Sequence, residues 1–518
     1  MPKTHAATAT LRTVATAVVL GAVAVTGCTD LTENPPSRIT PSSFFQNDAQ
    51  VQAALAGVYN GLRVTETDFW NISQVSSDET IVPTRGTDWD DGGQWRELWT
   101  RSYGPASGAG NQSINAAYSG ISSAIAKANA VLDPLSAVTT PAAKQGTAEA
   151  RALRAWFYYM LMDGFGGAPI ITKPGVSGVP RASRDSVARF IQAELHAARP
   201  DLPATYGSGG QGRITQGAVD AMLANLYLNW HIYTGTVSAG GLTPSSTVRY
   251  DSVLAVTDRI MNSGQYTMAQ DINSWKANFA YNNQASKENI FVVRNQTVSG
   301  LGLDIINRMS HYNHFKNPGG WNGFSVLADA YNQFDTSDQR RSIVLAGPQV
   351  SLDTQQPVTT RAGAPLVLND IQSLTAATEG DGFRVYKYTL DPNHTDQNMG
   401  NDFVIFRLGG VMLDRAEALY KTGNQAGALA LLNTLRARSY SPPQPLTGTI
   451  TDAVMLHERL TELTNEGKRR QDMIRLGGFL TPKRFQTTPT PPYAVLFPIP
   501  LTQLQANPAL TQNPGYGG

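Results

Sequence analysis

The sequence predicts a mostly α-helical fold: an irregular tetratricopeptide-like helical-repeat scaffold carrying a loop-rich, partly β insertion. Three observations predict it. Helical periodicity dominates the first half, where "QVQAALAGVYNGLR" places Val51, Leu55, Val58, Tyr59 and Leu62 on one helix face. Near the end, "LDRAEALYKTGNQAGALALLNTLRAR" sets small Ala416 and Ala428, large Leu419, Tyr420 and Leu431, and a Gly423-Asn424 turn where a helix–turn–helix repeat needs them. Between about residues 265 and 401 the pattern changes to short runs rich in Asn, Gly, Pro and Asp.

In chain order, residues 1–27 have the parts of an export signal: Lys3 and Arg12, an uncharged apolar run from Val14 to Val25, and small residues before a cleavage point. That run is too short to span a bilayer. Cys28 is the only cysteine of 518 residues, and "VTGC" resembles the lipobox of lipoprotein signal peptidases, with Val25 where leucine is commonest. A lone exposed thiol is a liability in an oxidising compartment, whereas a lipidated Cys28 becomes a membrane anchor. Residues 28–45 then read as an extended tether. Asp30 and Glu33 are similar to acidic signals that send some lipoproteins to the outer face of the outer membrane.

The scaffold is expected over about 46–264 and 402–518. "INAAYSGISSAIAKANAVLD" repeats the helical spacing with Ile114, Tyr118, Ile121, Ile125 and Ala128. "EARALRAWFYYMLMDGFGGAPI" sets Leu153, Trp156, Phe157, Met160 and Leu161 on one face and stops at a glycine cluster. "RASRDSVARFIQAELHAA" starts at an N-cap, Ser183, and "RITQGAVDAMLANLYLNWHIY" with "DSVLAVTDRIMNSGQY" makes another helix pair. The insertion, about 265–401, carries β-like pieces such as "NIFVVRN" and "FRVYKYTL". A single non-repeating helical domain is the alternative to repeats.

Composition excludes several function classes. The formal net charge is +1, which gives no reason to expect nucleic acid. There is no G-x-S-x-G elbow, no H-E-x-x-H and no Walker loop, and the Gly-rich "YGSGGQG" and "GFGGAP" lack a strand–helix context. Glu458, Glu462 and Glu466 stack at i, i+4 spacing beside Arg459, Lys468, Arg469, Arg470 and Arg475. Glycosidase chemistry needs two carboxylates with unequal pKa values poised in a cleft, and the adjacent cations point instead to an ion-paired seam.

Six stretches in order resemble the SusD/RagB family of surface lipoproteins: "SSFFQNDAQVQAALAGVYNGL", "EARALRAWFYYMLMDGFGGAPI", "GRITQGAVDAMLANLYLNW", "NDFVIFRLGGVMLDRAEALYKTGN", "ERLTELTNEGKRRQDMIRLG" and "LFPIPLTQLQANPALTQNPGY". "SSDETIVPTRGTDWDDGGQWRELW" and "WNGF" resemble one large branch of it. The resemblance implies a helical SusD-like domain over 46–518 with four tetratricopeptide-like units and a variable ligand side. It also implies a SusC-like TonB-dependent transporter as partner, a carbohydrate ligand, no cofactor, no catalysis, and a lipid-anchored place on the outer membrane facing the cell exterior. Family members also handle peptides and other nutrients, so a non-glycan ligand and a transporter-adaptor role stay open.

The candidate ligand residues fall in two clusters. Trp70, Trp89, Trp95 and Trp99 sit within thirty residues of polar sequence, with Asp88, Asp90, Asp91 and Gln94 beside them. An aromatic ring in such sequence is a platform for the apolar face of a sugar, or else it pins the loop to the scaffold, Trp99 being the most structural in character. "HYNHFKNPGGWNGF" adds His311, Tyr312, His314, Trp321 and Asn322, in the half where the family's ligand-facing aromatics tend to lie. Two histidines three apart begin a metal site, but no third and fourth ligand stands out, and metal ligands are expected to be none.

Overall fold

The computed structural model describes residue 45 and residues 47–105, 111–207 and 209–517. The leader, Cys28 and the tether up to residue 44 lie outside the described residues. The fold is the unit that begins at Asn47.

Its first half contains helices α1 (Asp48–Asn60), α2 (Asp68–Ser76), α3 (Gln94–Thr100), α4 (Asn111–Leu135), α5 (Pro141–Phe165), α6 (Arg184–Ala198), α7 (Gln216–Leu228) and α8 (Tyr250–Met261). The C-terminal part adds α9 (Leu408–Lys421), α10 (Gln425–Ala437), α11 (Asp452–Leu463) and α12 (Arg469–Leu476). Consecutive helices pack as pairs: α4 on α5, α7 on α8, α9 on α10 and α11 on α12. Helix α8 also packs on α9, which joins the two parts of the scaffold across the insertion. The described residues are 46% helical and 9% strand, so the predicted class is the observed one.

Local chemistry sets the boundaries. Ser183 Oγ accepts the Ser186 N–H at 3.1 Å and caps α6, Thr140 does the same for α5 with Pro141 at its first position, and Asn424 caps α10. Helix α5 stops at Gly166, whose φ of +80° only glycine adopts without strain. Ala416 and Ala428 are fully buried where α9 and α10 meet, as a close helix approach requires. Leu413 and Leu432 of these helices are fully buried, whereas the expected Leu419 and Leu431 are half-buried.

Helix α5 is buried on every side from Ala152 to Phe165, so its amphipathic face is only part of a core helix. Its charged side chains are therefore paired: Glu149 with Arg213, Arg154 with Glu194 at 3.0 Å through Nε.

The insertion returns to the scaffold through an antiparallel pair, β1 (Asn289–Val293) with β2 (Phe403–Arg407). "NIFVVRN" is thus a strand, while of "FRVYKYTL" Arg384–Val385 pairs with Val344–Leu345 and Phe383 bridges to Val326. Residues 347–368 form a small three-stranded ribbon over a core of its own made by Val358, Leu366 and Leu368.

Behind β2 the glutamate column proves to be an ion-paired seam. Glu462 accepts from Arg407 Nη1 at 2.6 Å, from Arg340 Nη1 at 2.8 Å, from Arg438 Nη2 and from the Trp275 indole N–H at 3.1 Å. Glu466 is held by Lys387 Nζ at 2.6 Å and by Arg407, and Glu458 by Arg436 at 2.6 Å. Burial pushes the Glu462 carboxyl up, and the three guanidiniums more than reverse it, to well below the ordinary carboxylate range. All three column carboxylates are buried and occupied, so none is free to attack or protonate a substrate.

Candidate functional site

The two aromatic clusters of the sequence meet in space. Ile81 bridges to Ser325 and Val326 to Phe383, so segments 81–85, 323–326 and 383–385 lie side by side. These segments carry the loop with Trp89, the loop 311–322, and Glu379 to one face.

Phe324, 1% exposed, is the centre of the assembly: its ring lies 5.3 Å from Trp70, 5.2 Å from Trp95 and 5.6 Å from Trp89, the last edge-on. Trp70 is on α2, 1% exposed, and donates its indole N–H to Asn465 O at 3.3 Å. Trp95, 6% exposed at the start of α3, donates to Asp91 Oδ2 at 2.6 Å. Neither offers a free ring face, so both are supports rather than platforms, and the polar sequence around them hid two short helices. Trp99 is likewise buried, donating to Arg484 O at 2.8 Å.

Trp89, Tyr312 and Trp321 keep part of their surface exposed. Trp89 sits at φ +62° just past the Arg85–Asp88 turn and donates its N–H to Trp321 O at 2.7 Å, which ties one cluster to the other. Its indole lies on Gly323: a Cβ there would be 2.3 Å from the ring, so only glycine admits it. Tyr312 donates to Asp88 Oδ2 at 2.5 Å, and burial together with that carboxylate pushes the phenol up to about 12. Asp90, also half-exposed, pairs with Arg96 at 2.6 Å.

The other three candidates are internal. Asn322 is fully buried at φ +53°, accepts from Arg384 Nη2 at 2.6 Å and donates to Glu379 O at 3.2 Å. It holds the loop, and its buried side chain presents no surface to solvent. His311 and His314 are fully buried as well. His311 Nδ1 accepts the Asn313 N–H at 3.1 Å, so its proton is on Nε2, 3.0 Å from Glu379 Oε2. His314 Nδ1 accepts the His311 N–H at 3.0 Å. Burial lowers His311 to about 4 and His314 to about 3, Arg384 adding to both, so the two rings are neutral near pH 7. Among the described residues no three His, Cys, Asp or Glu side chains gather as a metal cage.

Two residues that the sequence reading passed over complete the site. Arg361, at the tip of the 347–368 ribbon, lies over the Tyr312 ring at 4.0 Å, pairs with Glu379 at 2.7 Å and reaches Asp88 at 3.3 Å. Glu379 links Arg361 to His311. No local signal marks either residue, because their partners lie from 18 to 68 residues away and, for Asp88, much further.

Residues 364–516 match the model of the SusD family, and residues 31–228 match that of "starch-binding associating with outer membrane" proteins. The chain belongs to the SusD/RagB family. It is similar to SusD-like protein P2 of Formosa agariphila, 25% identical with 95% of this chain and 97% of the relative covered. It is also similar to starch-binding protein SusD of Bacteroides thetaiotaomicron, 24% identical over 95% and 96%. Among solved structures, a laminarin-binding SusD-like protein superposes with a TM-score of 0.71 at 22% identity, over 91% of this chain and all of that one. No helix among the described residues of this SusD-family chain is long and apolar enough to cross a membrane.

Proposed function

We propose that this SusD-family protein is a non-enzymatic glycan-binding lipoprotein of the outer membrane. It takes an oligosaccharide on the face formed by Trp89, Tyr312 and Trp321 and delivers it to a SusC-like TonB-dependent transporter. The observation that carries the reading is the convergence of these half-exposed aromatics, drawn from distant segments and fixed by the Trp89–Trp321 hydrogen bond. A ring so held loses little entropy on stacking against a sugar, and Asp88, Asp90 and Arg361 stand beside it to meet hydroxyls. The starch- and laminarin-binding relatives support the ligand class.

Covering about 100 Å² of one platform is worth at most about 2.5 kcal/mol, so single-site affinity is weak. A Cys28 anchor compensates by raising the local concentration over the transporter. Retardation of the protein in gels containing one glycan, lost in Trp89→Ala, tests the proposal; binding to the transporter with no glycan bound would favour the adaptor role instead.

A further inference from the structure

A second recess lies away from the aromatic face, where the scaffold meets the insertion. It encloses about 520 Å³ between the segment leading into α7 and strand β1, a size suited to one or two sugar rings. Tyr206 and Tyr266 supply its aromatic surface, both half-buried. Its charged groups are one-sided. Arg213 spends Nε and Nη2 on Glu149, which is fully buried behind it, and lies over the Tyr206 ring at 4.2 Å. Arg294 gives a single N–H to Asp402, at 2.7 Å, although a guanidinium has five, and its side chain is 37% exposed. Lys287 is exposed at the rim and makes no ion pair with any described residue.

Among the described lining residues Asp402 is the one carboxylate, and it is 2% exposed. The negative charges thus sit beneath the surface, where they hold the guanidiniums in place, while Lys287 and part of Arg294 stay exposed at the recess. Gly212, at φ +79°, keeps the wall tight, since a Cβ there would stand 2.1 Å from the Arg294 side chain.

We infer that this recess is a second binding site, for a sugar unit bearing a carboxylate or a sulfate ester. Arg294 and Lys287 take the anion, and the tyrosines flank the ring. Neutral sugars lack the group that these donors are placed to receive. The inference does not depend on the aromatic face: a ligand carrying acidic residues would engage both sites, and a neutral one only the first.

The test is calorimetric titration of the full-length protein with digalacturonic acid and with lactose 3′-sulfate, with lactose as the neutral control. Binding of either acidic disaccharide without lactose is expected, and which of the two binds identifies the anion. Lys287→Gln, which disturbs no contact of the fold, is expected to weaken that binding about fivefold, and Arg294→Gln to weaken it further. Retardation of Lys287→Gln by a neutral glycan should match the wild type. Failure of both acids to bind, equal binding of lactose, or unchanged affinity in Lys287→Gln would overturn the assignment.

Discussion

Replacing Glu462 by glutamine removes one charge and almost no volume from the seam behind β2. Four carboxylates there, Glu288, Asp338, Glu462 and Glu466, face four cations, Arg340, Lys387, Arg407 and Arg438, and none of these side chains is more than 2% exposed. The balanced cluster becomes a buried net charge of one. Arg340 keeps Asp338, Arg407 keeps Glu288 and Glu466, and Arg438 keeps only Glu288. Breaking one partner of a buried ion pair costs about 3–5 kcal/mol. For a unit of roughly 470 residues the unfolding entropy is about 1 kcal/mol per degree, so the melting temperature should fall by about 3–5 °C. Scanning calorimetry of Glu462→Gln beside Asp133→Asn, an exposed neutralisation expected to stay within about 0.5 kcal/mol, measures it. A Glu462→Gln protein melting within about 1 °C of wild type would refute the claim that the column is structural.

Three further outcomes follow from the site. Gly323→Ala should drive the Trp89 indole off its seat, costing about 1–3 kcal/mol, changing tryptophan fluorescence and weakening glycan retardation. Arg361→Ala should leave Glu379 with His311 and remove a cation that holds the Tyr312 phenol down, so the phenol should move further above its ordinary range; an absorbance titration checks this. His311 and His314 have folded pKa values below the unfolded value of about 6.5. Their contribution to stability is present above about pH 6.5 and is lost as pH falls through about 4 and about 3, because the unfolded chain takes up those protons first. Imidazole NMR midpoints near 6.5 would contradict that burial.

Much of the scaffold was legible because its signals are local. Ser183, the Gly423-Asn424 turn and the small Ala416 and Ala428 act within a few residues of themselves, and each does in the fold what its pattern foretold. The glutamate column was readable as a seam because its arginines are abundant nearby, yet its principal partners, Arg340, Arg407 and Arg438, are remote. Of the aromatics, residue type and polar context pointed to the right segments and not to the right faces. Trp70 and Trp89 share that context, but one packs under Phe324 from a helix and the other rides on a glycine 234 positions later, and only tertiary contacts separate them. Arg361 escaped notice for the same reason, since its role depends on where a ribbon tip lands.

The central claim is that Trp89 and Trp321 form a carbohydrate platform, and affinity electrophoresis of the protein without residues 1–28 tests it most directly. Starch, laminarin and a set of plant, microbial and host polysaccharides are cast into the gels, with Trp89→Ala and Trp321→Ala run beside wild type. Retardation by at least one glycan is expected, reduced in both variants while each still folds cooperatively. Equal retardation of wild type and both folded variants, or none by any glycan, would contradict it.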